Sequence, residues 1–162
     1  MTHFADLSNY VYNDEFAQAH TRNVGWLGEG HSFPQRPADD RLLNALWAAC
    51  SVFTAQSRGY HSCEFCPERL LTLATRHGTT VLLGNGEIRI FGDDGDIFAA
   101  PNMIYHYVEE HDYHPPNAFV DALLKGPLPP ERSYFERLAS SGLTWKYLDS
   151  HDPAQILPPR GR

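Results

Sequence analysis

The spacing of apolar positions changes period twice along the chain. From Asp39 onward, Leu42, Leu43, Leu46, Trp47, Cys50 and Phe53 recur at helical spacing. Asp39-Asp40 offers an N-cap and first-turn acids, so the pattern predicts a helix over 39–54. At Leu71, Leu73 and Thr75 the period drops to two. His77-Gly78 then turns the chain, Val81–Leu83 forms a second strand, and Gly84-Asn85-Gly86 turns it again. Glu87–Phe91 alternates and passes through Gly92-Asp93-Asp94-Gly95 into Asp96–Ala99. Together these predict an antiparallel meander of three or four strands over about 70–99. Helical spacing then returns. Pro101 opens a helix to about 111, Pro115-Pro116 stops it and starts another over 116–125, and a third covers 131–140 with Tyr134, Phe135 and Leu138 apolar. The expected fold class is α+β: a β-meander packed with several helices.

The remaining stretches carry weaker patterns. Ser8–Tyr12 suits a short strand, and Leu143–Leu148 a short element packed back on the domain. Val24–Leu27 runs into the turn Gly28-Glu29-Gly30, and Trp26 is expected on the core rather than in a binding loop. Cys50 lies on the apolar stripe of the first helix, where an inert buried thiol is expected. Pro153, Pro158, Pro159 and Gly161 mark 151–162 as a flexible tail, leaving 1–150 as one globular domain.

Composition narrows the function classes. A chain of 162 residues with 42% hydrophobic residues can bury a core of its own. Its 20 acids outnumber its 13 Lys and Arg, for a net charge of −7, which argues against a nucleic-acid surface because phosphate binding needs clustered positive charge. No apolar run reaches the roughly 18–20 residues that span a bilayer. Met1–Asp6 has no charged segment leading into an apolar one, so no secretory signal is read there. Three cysteines make no disulfide framework, and the expected compartment is the cytoplasm, where thiols stay reduced.

Two stretches carry the chemistry. His61-Ser62-Cys63-Glu64-Phe65-Cys66 places two thiols two residues apart, the spacing that lets both sulfurs face one ion. Pro67 and a meander follow, whereas a redox CxxC opens a helix after a strand, so metal binding is favoured over redox chemistry. Zinc needs four donors, and with no third cysteine suited, histidines must supply the rest. His106 and His111 follow in the helix predicted from Pro101 to about 111. An ideal helix splays residues five apart by about 140°, so both can serve one ion only if the last turn unwinds. His61 shares a face with Cys63 if 61–63 are extended. The expected zinc site is therefore Cys63, Cys66, His106 and His61, with His111 the substitute for His61.

The stretches Gly25-Trp26-Leu27, Gly59-Tyr60-His61-Ser62-Cys63-Glu64-Phe65-Cys66, Gly86–Arg89 and Ala100–Phe119 resemble a family of uncharacterised bacterial proteins, a domain of unknown function. The resemblance covers roughly 4–125 and supplies no activity. It implies that His61, Cys63, Cys66, His106 and His111 belong together, whereas His114 falls where the family pattern is free.

Two function classes follow. The first is a structural-zinc module without enzymatic activity that binds another protein, such as a regulatory or immunity-like domain facing a basic partner. The second is a zinc hydrolase, with Glu64, Glu87, Glu109 or Glu110 as general base. The first is preferred, because two thiolates and two imidazoles close the coordination shell. The H-x-E and P-C-x-x-C arrangement of the zinc deaminases is missing, since His61 stands directly before the cysteines and Cys63 occupies the glutamate's place.

Overall fold

The computed structural model describes residues 1–13 and 18–150, and in these the chain folds as α+β. The expectation of a tail over 151–162 lies outside the described residues. The elements run β1 (Thr21–Asn23), α1 (Asp40–Ala49), β2 (Val52–Phe53), β3 (Leu73–Arg76), β4 (Thr79–Leu82), β5 (Glu87–Phe91), β6 (Ile97–Pro101), α2 (Ile104–His111), α3 (Asn117–Lys125), α4 (Arg132–Ser140) and β7 (Lys146–Tyr147).

α1 starts where Asp39 caps it, its side chain accepting the Leu42 N–H at 2.9 Å, and buries Leu42, Leu46 and Ala49. It ends at Ala49 rather than running to 54. The β-prone residues Val52 and Phe53 leave the helix and pair antiparallel with β7, the short element expected near 143–148.

The period-two stretch forms two antiparallel hairpins, β3–β4 and β5–β6, but not one continuous meander. The reason is competition for the edge of β5. Thr54 and Glu87 exchange both backbone hydrogen bonds, at 2.7 and 3.0 Å, on the side where β4 would have paired. The far side of the β5–β6 hairpin carries β1, parallel to β6, giving the order β1-β6-β5. Pro101 closes β6 instead of opening α2, which begins three residues later. Residues 8–12 form no strand; Asn9 makes a single bridge to Arg22.

Both faces of this sheet are covered. Ile88, Ile90, Phe98 and Ala100 pack under the helices with Leu46, Ile104, Val108, Phe119 and Leu123. On the opposite face Phe91 and Ile97 meet Tyr134 and Leu138 of α4, and Ala99 meets Tyr10 and Trp26. Trp26 is buried as expected and donates its indole N–H to the Ala99 carbonyl at 3.0 Å. A charged pair lies on this second face. Fully buried Arg89 donates to Glu87 at 2.7 Å, and Tyr10 donates its hydroxyl to the same carboxylate. Burial raises the pKa of Glu87, and the Arg89 guanidinium opposes the rise.

One backbone approach decides how the cysteine loop reaches the helices. The Gly84 carbonyl accepts the His61 N–H at 2.8 Å, and a Cβ on Gly84 would stand 2.3 Å from the His61 carbonyl oxygen. Gly84 also has φ +102°, a conformation that side chains resist. Gly84→Ala should therefore cost about 3 kcal/mol or more. Gly78→Ala, also at positive φ but in open space, should cost about 1 kcal/mol. Urea unfolding of the two variants compares them, and equal losses would contradict the close packing of residues 61 and 84.

Candidate metal centre

α2 is buried almost all round, because α1 packs on one side and the loop 61–67 covers another. His106 points away from the apolar stripe of α2 yet is buried, since this loop lies over it. Within the loop, Phe65 stands between the two cysteines and packs edge-on against Phe33, Tyr107 and His111. That aromatic contact turns both thiols inward, toward α2.

The result is a cluster of four donors. The sulfurs of Cys63 and Cys66 and the ring nitrogens of His106 and His111 all lie within 4.8 Å of one another. His111 Nε2 is 3.2 Å from Cys63 Sγ and 3.5 Å from Cys66 Sγ, and His106 Nε2 is 3.4 Å from Cys66 Sγ. Cys63 and His106 are buried, while Cys66 and His111 are partly exposed. The two histidines converge without the unwinding expected of α2. His111 is still helical, and the left-handed Asp112 (φ 54°) forms the C-cap beyond it.

The structure does not bring His61 to this cluster; His111 stands with Cys63, Cys66 and His106 instead. His61 lines a separate small pocket with Trp26, Ser57 and Glu87. Its contribution is made by the backbone. The His61 N–H is held by Gly84, whose own N–H donates to Asn102 Oδ1 at 2.8 Å. Asn102 Nδ2 donates to Asn85 Oδ1 at 3.1 Å, and the Asn102 N–H donates to the Gly86 carbonyl at 2.9 Å. Asn102 thus ties the start of α2 to the turn that grips the cysteine loop. The far end of α2 is held by Tyr113, whose hydroxyl donates to Asp6 at 2.8 Å while Asp6 also accepts the Gly25 N–H at 2.9 Å. Sequence reasoning missed Asn102, Asp6 and Tyr113 as positioning residues. Asn102 and Tyr113 both sit in the longest stretch of the family resemblance, which was the available signal.

The electrostatics suit neutral imidazole and protonated thiol in the metal-free chain. Burial, with a smaller contribution from His111, lowers the His106 pKa to about 4, so its nitrogen is free to donate to an ion at neutral pH. Burial pushes the Cys63 thiol up to about 11, so a cation must displace its proton. Cys50 is remote from the cluster, as expected of an inert thiol: it is buried, pushed up to about 12 by burial, and lies 3.6 Å from the Asn102 carbonyl.

The acids considered as general bases have other partners or positions. Glu64 accepts the Glu29 N–H at 2.8 Å, Glu87 is held by Tyr10 and Arg89, and Glu109 accepts from Tyr105 at 2.8 Å. Glu110 is exposed. His114 is half-buried and lies outside the cluster, its N–H donating to Pro34.

The chain belongs to the family of the domain of unknown function DUF7919. The family model matches residues 2–124. No curated protein and no solved structure matches the chain. The DUF7919 match takes in the whole cluster, Asn102 and both strands of the β5–β6 hairpin, and stops before α4. Among the described residues no helix is long and apolar enough to cross a membrane.

Asn102 is predicted to matter more than His61. Asn102→Ala leaves the buried Gly84 N–H and Asn85 Oδ1 without partners and should cost about 2–4 kcal/mol. His61→Ala keeps the backbone bond and should cost less than about 1 kcal/mol. Chemical denaturation of the two variants orders them; the reverse order would contradict the placement of both residues.

Proposed function

We propose that this protein is a small zinc-stapled domain whose cellular role is to bind another protein. The observation that carries the reading is the convergence of Cys63, Cys66, His106 and His111, two thiols and two imidazoles from segments about 40 residues apart, within 4.8 Å of one another. Soft sulfur and imidazole nitrogen in a set of four is the donor chemistry of tetrahedral zinc. The set also favours a structural ion over a hydrolytic one. A catalytic zinc keeps a position for water, and four protein donors fill the shell. The ion would join the loop before the hairpins to the helix after them, supplying folding free energy that neither segment has alone.

The partner reading rests on charge. A domain of net charge −7 suits a basic protein surface rather than a nucleic-acid backbone. Cytoplasmic residence agrees with thiols kept reduced for metal, and with a regulatory or immunity-like role.

The test is elemental analysis of protein purified without chelators. Wild type and Cys50→Ala should carry one zinc per chain, and His61→Ala should keep it. Cys63→Ser and His111→Ala should lose most of it and unfold at markedly lower temperature. Acid should release the ion, since protons compete for thiolate and imidazole alike. A wild type without stoichiometric metal, or a Cys63→Ser variant that retains it, would overturn the site.

A further inference from the structure

We propose that the same centre is an oxidation switch, in which peroxide converts Cys63 and Cys66 into a disulfide and expels the ion. The inference rests on the zinc reading above and adds its regulation. It starts from an asymmetry between the sulfurs. Cys63 is buried under Phe65 and the helices, whereas Cys66 is partly exposed and has both imidazoles beside its sulfur, at 3.4 and 3.5 Å. A small oxidant therefore meets one thiolate before the other. The second sulfur lies within 4.8 Å of the same donor set, in a loop that bends continuously over 64–68. It is placed to resolve the first oxidation product rather than leave it to go further.

The steps balance. The Cys66 thiolate attacks one oxygen of hydrogen peroxide; the O–O bond breaks, an S–O bond forms, and hydroxide leaves and takes a proton from solvent. The Cys63 thiolate then attacks the Cys66 sulfur; the S–S bond forms, the S–O bond breaks, and a second hydroxide leaves and takes a second proton from solvent. Two thiolates have lost two electrons, and one peroxide has become two waters. Both sulfur donors are now gone, and two imidazoles alone hold zinc weakly. The consequence is structural as well as chemical. Only the cysteines link the loop to the ion, so oxidation removes the metal bridge to α2 and leaves the loop held there by the packing of Phe65 on Tyr107 and His111. Cys50 takes no part, since it is buried elsewhere against the Asn102 carbonyl.

The experiment uses the full zinc-loaded chain treated with a few equivalents of hydrogen peroxide. Zinc release is followed with a chromogenic chelator, and the cysteine peptides are examined by mass spectrometry with and without a sulfenic-acid trap. The expected result is one zinc released per disulfide formed between Cys63 and Cys66, trap adduct on Cys66 alone, and full recovery of binding after thiol reductant and added zinc. Cys50→Ala should behave identically. Zinc retained while a free peptide of the loop is oxidised would overturn the switch and leave the zinc site standing. So would irreversible over-oxidation of Cys66, or trapping on Cys63. Absence of zinc before peroxide is added would overturn both.

Discussion

The carboxamide of Asn102 is the joint on which the arrangement depends. It is fully buried, it accepts the Gly84 N–H and donates to Asn85 Oδ1, and its backbone holds Gly86. Buried amides are costly unless each group finds a partner, so a network of this kind tolerates few alternative geometries. Its effect is to lock the entry of α2 to a turn, and the turn to the backbone of His61. The cysteines two and five residues further on are thereby delivered to the same helix at its other end. At that end, Asp6 and Tyr113 fix the chain just beyond His111. The donors converge because both ends of α2 are anchored, not because any local stretch carries them together.

Much of the fold was legible along the chain, since α1, α3 and α4 bury single faces and so leave clear periodicities, and His77-Gly78 and Gly92–Gly95 mark the turns of the two hairpins. What escaped was decided by competition between segments. Gly84-Asn85-Gly86 looks like a hairpin turn, yet its hydrogen bonds go to His61, Ser57 and Asn102, and Thr54 takes the strand edge that a meander would have used. β1 is three residues long and pairs in parallel across more than 70 positions of sequence, which no local pattern announces. The end of α1 was overrun because Phe53 continues the apolar stripe, while Val52 and Phe53 both prefer extended backbone.

The cluster groups Cys63, Cys66 and His106 with His111, the substitute named for His61, and His61 stands apart. Spacing places His61 beside Cys63 on an extended strand and sets His106 and His111 on divergent faces of a helix. Both inferences treat each segment alone. In the folded chain the two rings stand edge to face, 5.1 Å apart between centroids, and the loop brings both sulfurs to them. His61 is turned away because its backbone is committed to Gly84. Phe65 could have signalled this, since an aromatic between paired cysteines needs an apolar bed, and the bed is Phe33 and Tyr107.

Four donors this close, two thiols and two imidazoles, make a site whose chemistry is completed by a cation. The most direct measurement is zinc-edge X-ray absorption of the purified protein. The account predicts a four-coordinate shell of two sulfurs at about 2.3 Å and two imidazole nitrogens at about 2.0–2.1 Å. A shell with fewer than two sulfurs, or with water oxygen in place of one imidazole, would contradict it.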